Sequence, residues 1–148
     1  MPVPLTIRLA SPSDAIAIAA LNAVLGYPTP ADRIPDRLQR LTASPAATAL
    51  VAEAEGEVVG IITAMLVSSI HDDAPIAWIT TLVVATEMQG RGVGRQLVAA
   101  AESWAHAGGA KRISVTSRTH RLEAHRFYEG LGYEKTGVRL GKTFSKVS

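Results

Sequence analysis

Gln89, Gly90, Arg91, Gly92, Val93, Gly94 and Arg95 stand between an apolar run at 76–85 and a helical repeat carried by Val93, Leu97, Ala101 and Trp104. Glycines at alternate positions leave backbone N–H groups open to a ligand, because no Cβ stands in the way. The N-terminus of the following helix adds unpaired donors and partial positive charge. Such a turn suits the binding of a pyrophosphate. A glycine-rich turn without a ligand is the plain alternative. A dinucleotide site fits less well, since Gly90-x-Gly92-x-Gly94 lacks the G-x-G-x-x-G spacing and the next strand ends in Arg118, not in an acidic residue. An NADP-binding protein could use that arginine, so it stays as a lower alternative. Gly137-Val138-Arg139-Leu140-Gly141-Lys142-Thr143 imitates a P-loop with one intervening residue too few, and β-prone residues follow it.

A second segment reads Ala124-His125-Arg126-Phe127-Tyr128-Glu129-Gly130-Leu131-Gly132-Tyr133. Gln89-x-x-Gly92-x-Gly94 resembles the Q/R-x-x-G-x-G/A signature of the GNAT superfamily of acyl-CoA-dependent N-acetyltransferases. The second segment resembles the same superfamily's A-x-x-F-Y-x-x-x-G-F/Y stretch. What the resemblance implies is transfer of an acetyl group from acetyl-CoA to a primary amine of a small molecule or peptide. It places the pyrophosphate on the backbone of Gln89, Gly90, Arg91, Gly92, Val93, Gly94 and Arg95, and lays the pantetheine arm along Val83 and Val84. It makes Tyr128 the catalytic acid that protonates the departing thiolate. A thiol of pKa about 8.5 and a phenol of about 10 are close enough to share a proton usefully. Packing beside the cofactor is the alternative role for Tyr128.

Many members of the superfamily carry a glutamate on the fourth strand to take the proton of the amine. This chain has Thr80-Thr81 there. His71, Asp72, Asp73 and Glu53 are substitutes, with a solvated surface as the plainer reading of each, and His120 and His125 read as helix-surface residues. The absent carboxylate keeps a second reading open, a catalytically silent acyl-CoA-binding or sensing domain. The acceptor pocket could draw on Tyr27, Trp78 and the segment around His71, where Asp72 and Asp73 would suit a cationic amine.

The elements that must position these residues can be read from periodicity. Residues 5–9 alternate as a strand, Ser11-Pro12-Ser13-Asp14 starts a helix that runs to about Leu25, and a second helix starts near Asp32. Residues 49–54 and 58–67 form an antiparallel hairpin around Glu55-Gly56-Glu57, 68–75 reads as a polar loop, and 76–85 is a strand buried on both faces. Gly108-Gly109 ends the helix after the glycine turn, 112–118 is the parallel partner of 76–85, 122–130 is a short helix, and 138–147 a last strand. The expected fold is α/β, a mixed and mostly antiparallel sheet flanked by about four helices, forming a single domain over 1–148. The resemblance adds that the central parallel pair splays apart.

With no cysteine in 148 residues, disulfides, thiolate metal ligands and an acyl-cysteine intermediate are excluded, which favours direct attack. No histidine pair has metal-ligand spacing with an acidic partner, so no metal is expected. The net charge is only +2, but it is unevenly placed: residues 1–90 carry 4 basic and 9 acidic side chains, residues 91–148 carry 11 and 4. The basic half suits a polyphosphate. It holds neither a Lys/Arg run nor interleaved aromatics, so no nucleic acid is expected as a partner. The apolar content of 47% is ordinary for a globular protein and no run reaches the ~20 residues of a membrane span. Without a visible secretory leader, the expectation is a cytoplasmic protein, with a homodimer among the forms the resemblance leaves open.

Overall fold

The computed structural model describes residues 4–116 and 122–145. The chain divides into two compact units, 1–115 and 116–148. The first contains β1 (Thr6–Leu9), α1 (Ala15–Leu25), α2 (Ile34–Thr42), β2 (Ala47–Ala54), β3 (Glu57–Ser69), β4 (Asp72–Val84), α3 (Val93–Ala107) and β5 (Arg112–Val115). The second contains α4 (Leu122–Gly130). Single 3-10 turns at Pro12–Asp14, Ala31–Arg33 and Thr86–Met88 lead into α1, α2 and the glycine turn. The strands lie in the order β1-β2-β3-β4-β5, antiparallel throughout except for the parallel pair β4–β5.

The sheet is covered on both faces. Ile61 of β3 and Val83 of β4 pair in register and join Val51 in a core with Ile18, Ala19 and Leu21 of α1 and Ile34 of α2. On the opposite face Ala77 of β4 packs with Ala105 of α3, Ala110, Trp104 and Ile113. Gly60 faces α3 as well. A Cβ built there would lie 2.9 Å from Leu97 Cδ1 and 3.1 Å from Val93 Cγ1, so the missing side chain is what allows the helix to approach β3.

Arg8 ties three elements together. Its guanidinium donates to both carboxylate oxygens of Asp14 at 2.9 Å and to Glu53 at 3.2 Å, joining β1, the turn before α1, and β2. Asp14 also accepts the Ser11 N–H at 2.8 Å, completing the cap expected from Ser11-Pro12-Ser13-Asp14.

Two expectations are corrected and one is borne out. Residues 68–75 are not a loop, because β3 runs to Ser69 and β4 starts at Asp72, with Val67 opposite Ile76 and Ser69 opposite Asp72. The register shifts between those two pairs, and Pro75, which has no N–H to give a ladder, falls in that irregular stretch. The polar residues that suggested a loop are used locally: Asp72 accepts the Ala74 N–H at 3.0 Å and pairs with Lys111 at 2.7 Å. As expected, the second helix begins near Asp32: it opens as the Ala31–Arg33 3-10 turn and becomes α-helical at Ile34, with Pro35 in its first turn. The second correction is that the described part of 138–147 forms no strand. Val138, Leu140 and Phe144 are exposed, and an alternating pattern makes a strand only where a neighbouring edge takes up its hydrogen bonds. Residues 117–118, assigned to the strand after α3, lie outside the described residues, as does His120.

Candidate active site

The residues expected to form the site lie where β4 runs on past the end of β5. Ile76 to Ile79 pair with Arg112 to Val115, and there the parallel ladder ends, while β4 continues along β3 to Val84. One side of the last turn of β4 therefore has no strand beside it among the described residues. The backbone direction follows from alternation. Ala85 donates its N–H to the Val59 carbonyl at 2.8 Å, so Val83 is turned towards β3, while Leu82 and Val84 present their N–H and C=O groups to the open side. The Val84 carbonyl on that side accepts a hydrogen bond from Gln89 Nε2 at 3.1 Å.

Just above the end of the ladder β4 carries an extra residue. Ala64 pairs with Ile79 and Thr63 with Thr81, leaving Thr80 as a bulge. The bulge shifts the alternation by one, which keeps Ala77 and Ile79 on the α3 side while Val83, further along, is buried with α1. Thr80 is exposed, and its hydroxyl lies 2.7 Å from that of buried Thr63. Among the described residues no carboxylate bonds to either threonine. Of the proposed substitutes, Glu53 is held by Arg8 and Asp72 by Lys111, while His71 and Asp73 are exposed on the far turn of the β3–β4 hairpin. Lys111 holds the Asp72 carboxyl below the usual carboxylate range, helped by the Ala74 N–H. That leaves it a poor base.

Beyond Val84 the Thr86–Met88 3-10 turn leads into Gly90 and Gly92, with φ of 79° and 85°, the left-handed region that costs other residues about 1–2 kcal/mol. A Cβ at either would meet open space, so neither glycine is required by packing; the backbone turn requires both. Gly92 is the N-cap of α3 and makes no side-chain cap, and the first helical hydrogen bond runs from Gln96 N–H to the Gly92 carbonyl at 3.1 Å. The N–H groups of Val93, Gly94 and Arg95 precede that bond and have no partner within the helix. The Val93 side chain is buried in the core, which fixes the helix start, whereas Arg91 and Arg95 are exposed and form no ion pair among the described residues. The turn thus offers main-chain donors, a helix N-terminus and two cations to one anion.

Tyr128 belongs to the second unit. It is buried, its ring 5.1 Å from that of Phe127 and 5.4 Å from that of Tyr133, and burial pushes its phenol up to about 12. The group stays protonated through the physiological range, the form in which it can give a proton. Trp78 is half-buried and Tyr27 exposed in the first unit; His125 is half-buried on α4.

Sequence reasoning missed three contributors: Thr63 beneath the bulge, Gly60 under α3, and the Gln89 side chain. Gly60 had a signal, a glycine inside the β-branched run Val58-Val59-Gly60-Ile61-Ile62. A bulge partner such as Thr63 leaves no local trace.

Among the described residues no helix is long and apolar enough to cross a membrane, and no group of three or more His, Cys, Asp or Glu could hold a metal. The chain is similar to the aminoglycoside N(6′)-acetyltransferase type 1 of Stenotrophomonas maltophilia, 33% identical over 137 residues that cover 88% of this chain and 87% of that protein. It is also 38% identical over 87 residues to the aminoalkylphosphonate N-acetyltransferase of Salmonella typhimurium, covering 59% of this chain and 56% of that one. Among solved structures, a transcriptional regulator from Bacillus halodurans superposes with a TM-score of 0.86 at 26% identity, over 95% of this chain and all of that one. The model of the acetyltransferase (GNAT) family matches residues 18–133, from α1 through the glycine turn to Tyr133, and the chain belongs to that family.

Proposed function

We propose that this protein moves the acetyl group of acetyl-CoA to a primary amine of a small molecule or peptide. One observation carries the reading: the open side of β4 runs directly into an uncapped helix N-terminus behind two left-handed glycines. Main-chain donors on the strand suit the amides of an extended pantetheine arm, and those of the turn suit a pyrophosphate. Acetyl-CoA supplies the activated thioester. The residues from Gln89 to Arg95 hold its phosphates, and the stretch at Val83 and Val84 lies along the arm. The amine nitrogen attacks the thioester carbon, the C–N bond forms and the C–S bond breaks. The Val84 N–H is the donor for negative charge on the carbonyl oxygen. Tyr128 returns a proton to the departing sulfur, and water takes the proton of the amine. The family match runs across the boundary at 115, which supports treating 1–148 as one working domain.

The acceptor class rests on the relatives, whose names specify an aminoglycoside and an aminoalkylphosphonate; both are amines. The test is a thiol-release assay with acetyl-CoA over aminoglycosides, aminoalkylphosphonates, polyamines and peptide N-termini, with mass spectrometry of the product. Release that depends on one class, with an acetylated amine formed, is the expected result. The missing carboxylate at Thr80 favours one rival, a silent acyl-CoA-binding domain. Tight CoA binding with no turnover across the panel would establish it.

A further inference from the structure

The open side of β4 and the glycine turn hold different parts of one donor molecule, so their spacing matters as much as their donors. Between Val84 and Gly92 the chain passes through one 3-10 turn and Gly90, a segment with little packing to hold it: Thr86, Glu87, Gln89, Gly90 and Arg91 are all exposed. One side chain crosses back over it. Gln89, at the end of the 3-10 turn, donates from Nε2 to the Val84 carbonyl at 3.1 Å, five residues earlier and on the side of β4 that no strand covers. A carbonyl can be met only by the NH2 end of the amide, so the side chain's orientation is fixed.

We propose that the Gln89 side chain is a positioning residue, a strap that sets the glycine turn at a fixed distance from the end of β4 so that one acetyl-CoA can reach both. The inference rests on the acetyl-CoA reading above. Gln89 acts through Val84 and Gly90 and need not touch the ligand with its side chain. Because the bond is exposed, it adds little to folding; its effect appears when a ligand must span strand and turn together.

The experiment is calorimetric titration of the full chain with CoA, for wild type, Q89M and Q89R, beside their thermal midpoints. Q89M keeps the length of the side chain and deletes the donor. Q89R keeps an N–H donor of similar reach. The expected result is CoA binding weakened about five- to tenfold in Q89M, the scale of one net hydrogen bond, with most of the loss restored in Q89R and the midpoints of all three alike. Q89M binding CoA like wild type, or Q89R losing as much as Q89M, would overturn the strap while leaving the acetyl-CoA reading in place. A wild-type protein that binds no CoA would overturn that reading and the strap with it.

Discussion

Thr63 and Thr80 meet hydroxyl to hydroxyl at 2.7 Å, at the β4 bulge next to the last rung of the parallel ladder. Where the resemblance leads to the expectation of a glutamate, two neutral side chains satisfy each other. Introducing a carboxylate by Thr80→Glu should move the pH dependence of turnover towards lower pH, because a placed base assists amine deprotonation where water alone is ineffective. Thr63 keeps a partner in the new carboxylate. A pH–rate profile that does not move, with CoA binding retained, would place the base elsewhere or show that none is needed.

Gly92 adopts φ of 85° at the start of α3 with open space where a Cβ would stand. Gly92→Glu should cost about 1–2 kcal/mol of stability through backbone strain and leave the fold intact. Its larger effect is expected on the ligand, since bulk and negative charge enter the proposed anion site: CoA affinity should fall by well over tenfold. Calorimetry on the folded variant decides, and unchanged affinity would remove the phosphate-cradle assignment.

Tyr128 is protonated at neutral pH, as any phenol is, and burial that pushes it up to about 12 makes it a weaker acid than a free phenol. Tyr128→Phe retains the ring packed beside Phe127 and Tyr133 and deletes the proton. Turnover should fall by about 10² to 10⁴ with CoA affinity unchanged. Near-wild-type turnover, with chemistry shown to be rate-limiting, would make Tyr128 a packing residue.

Asp14 is buried, and its hydrogen bonds with Arg8 hold its carboxyl below the ordinary value, against the opposing effect of burial. A carboxylate depressed in the folded state contributes stability that is complete above its unfolded value of about 3.9 and is lost as pH falls through the lower folded value. Asp14→Asn should therefore cost about 1–3 kcal/mol at pH 7, with the gap to wild type closing below about pH 4. Urea midpoints at both pH values test this; an equal gap at each would assign the cost to packing.

The parts of the fold that were legible in the sequence are those whose cause is local. Ser11-Pro12-Ser13-Asp14 carries its own cap, Gly108-Gly109 its own stop, and Val93, Leu97, Ala101 and Trp104 their own period. Gly90 and Gly92 were legible because only glycine takes that turn without strain. What escaped was decided by partners. Polar residues at 68–75 read as loop until the ladder from Val67–Ile76 to Ser69–Asp72 is in view, and 138–145 read as a strand although no described strand pairs with it. The bulge at Thr80 escaped for the same reason: an extra residue in one strand is defined only by the register of the other.

The open side of β4 changes how this protein can be studied. Where recognition runs through main-chain N–H groups at Leu82, Val84 and the turn, alanine scanning removes side chains and leaves every donor in place. Such a scan would report a nearly silent surface at the centre of the site. Replacing single amides by esters through chemical ligation would expose it. For the same reason a side-chain substitution at these positions leaves the main-chain donors in place and is poor evidence that the ligand has changed.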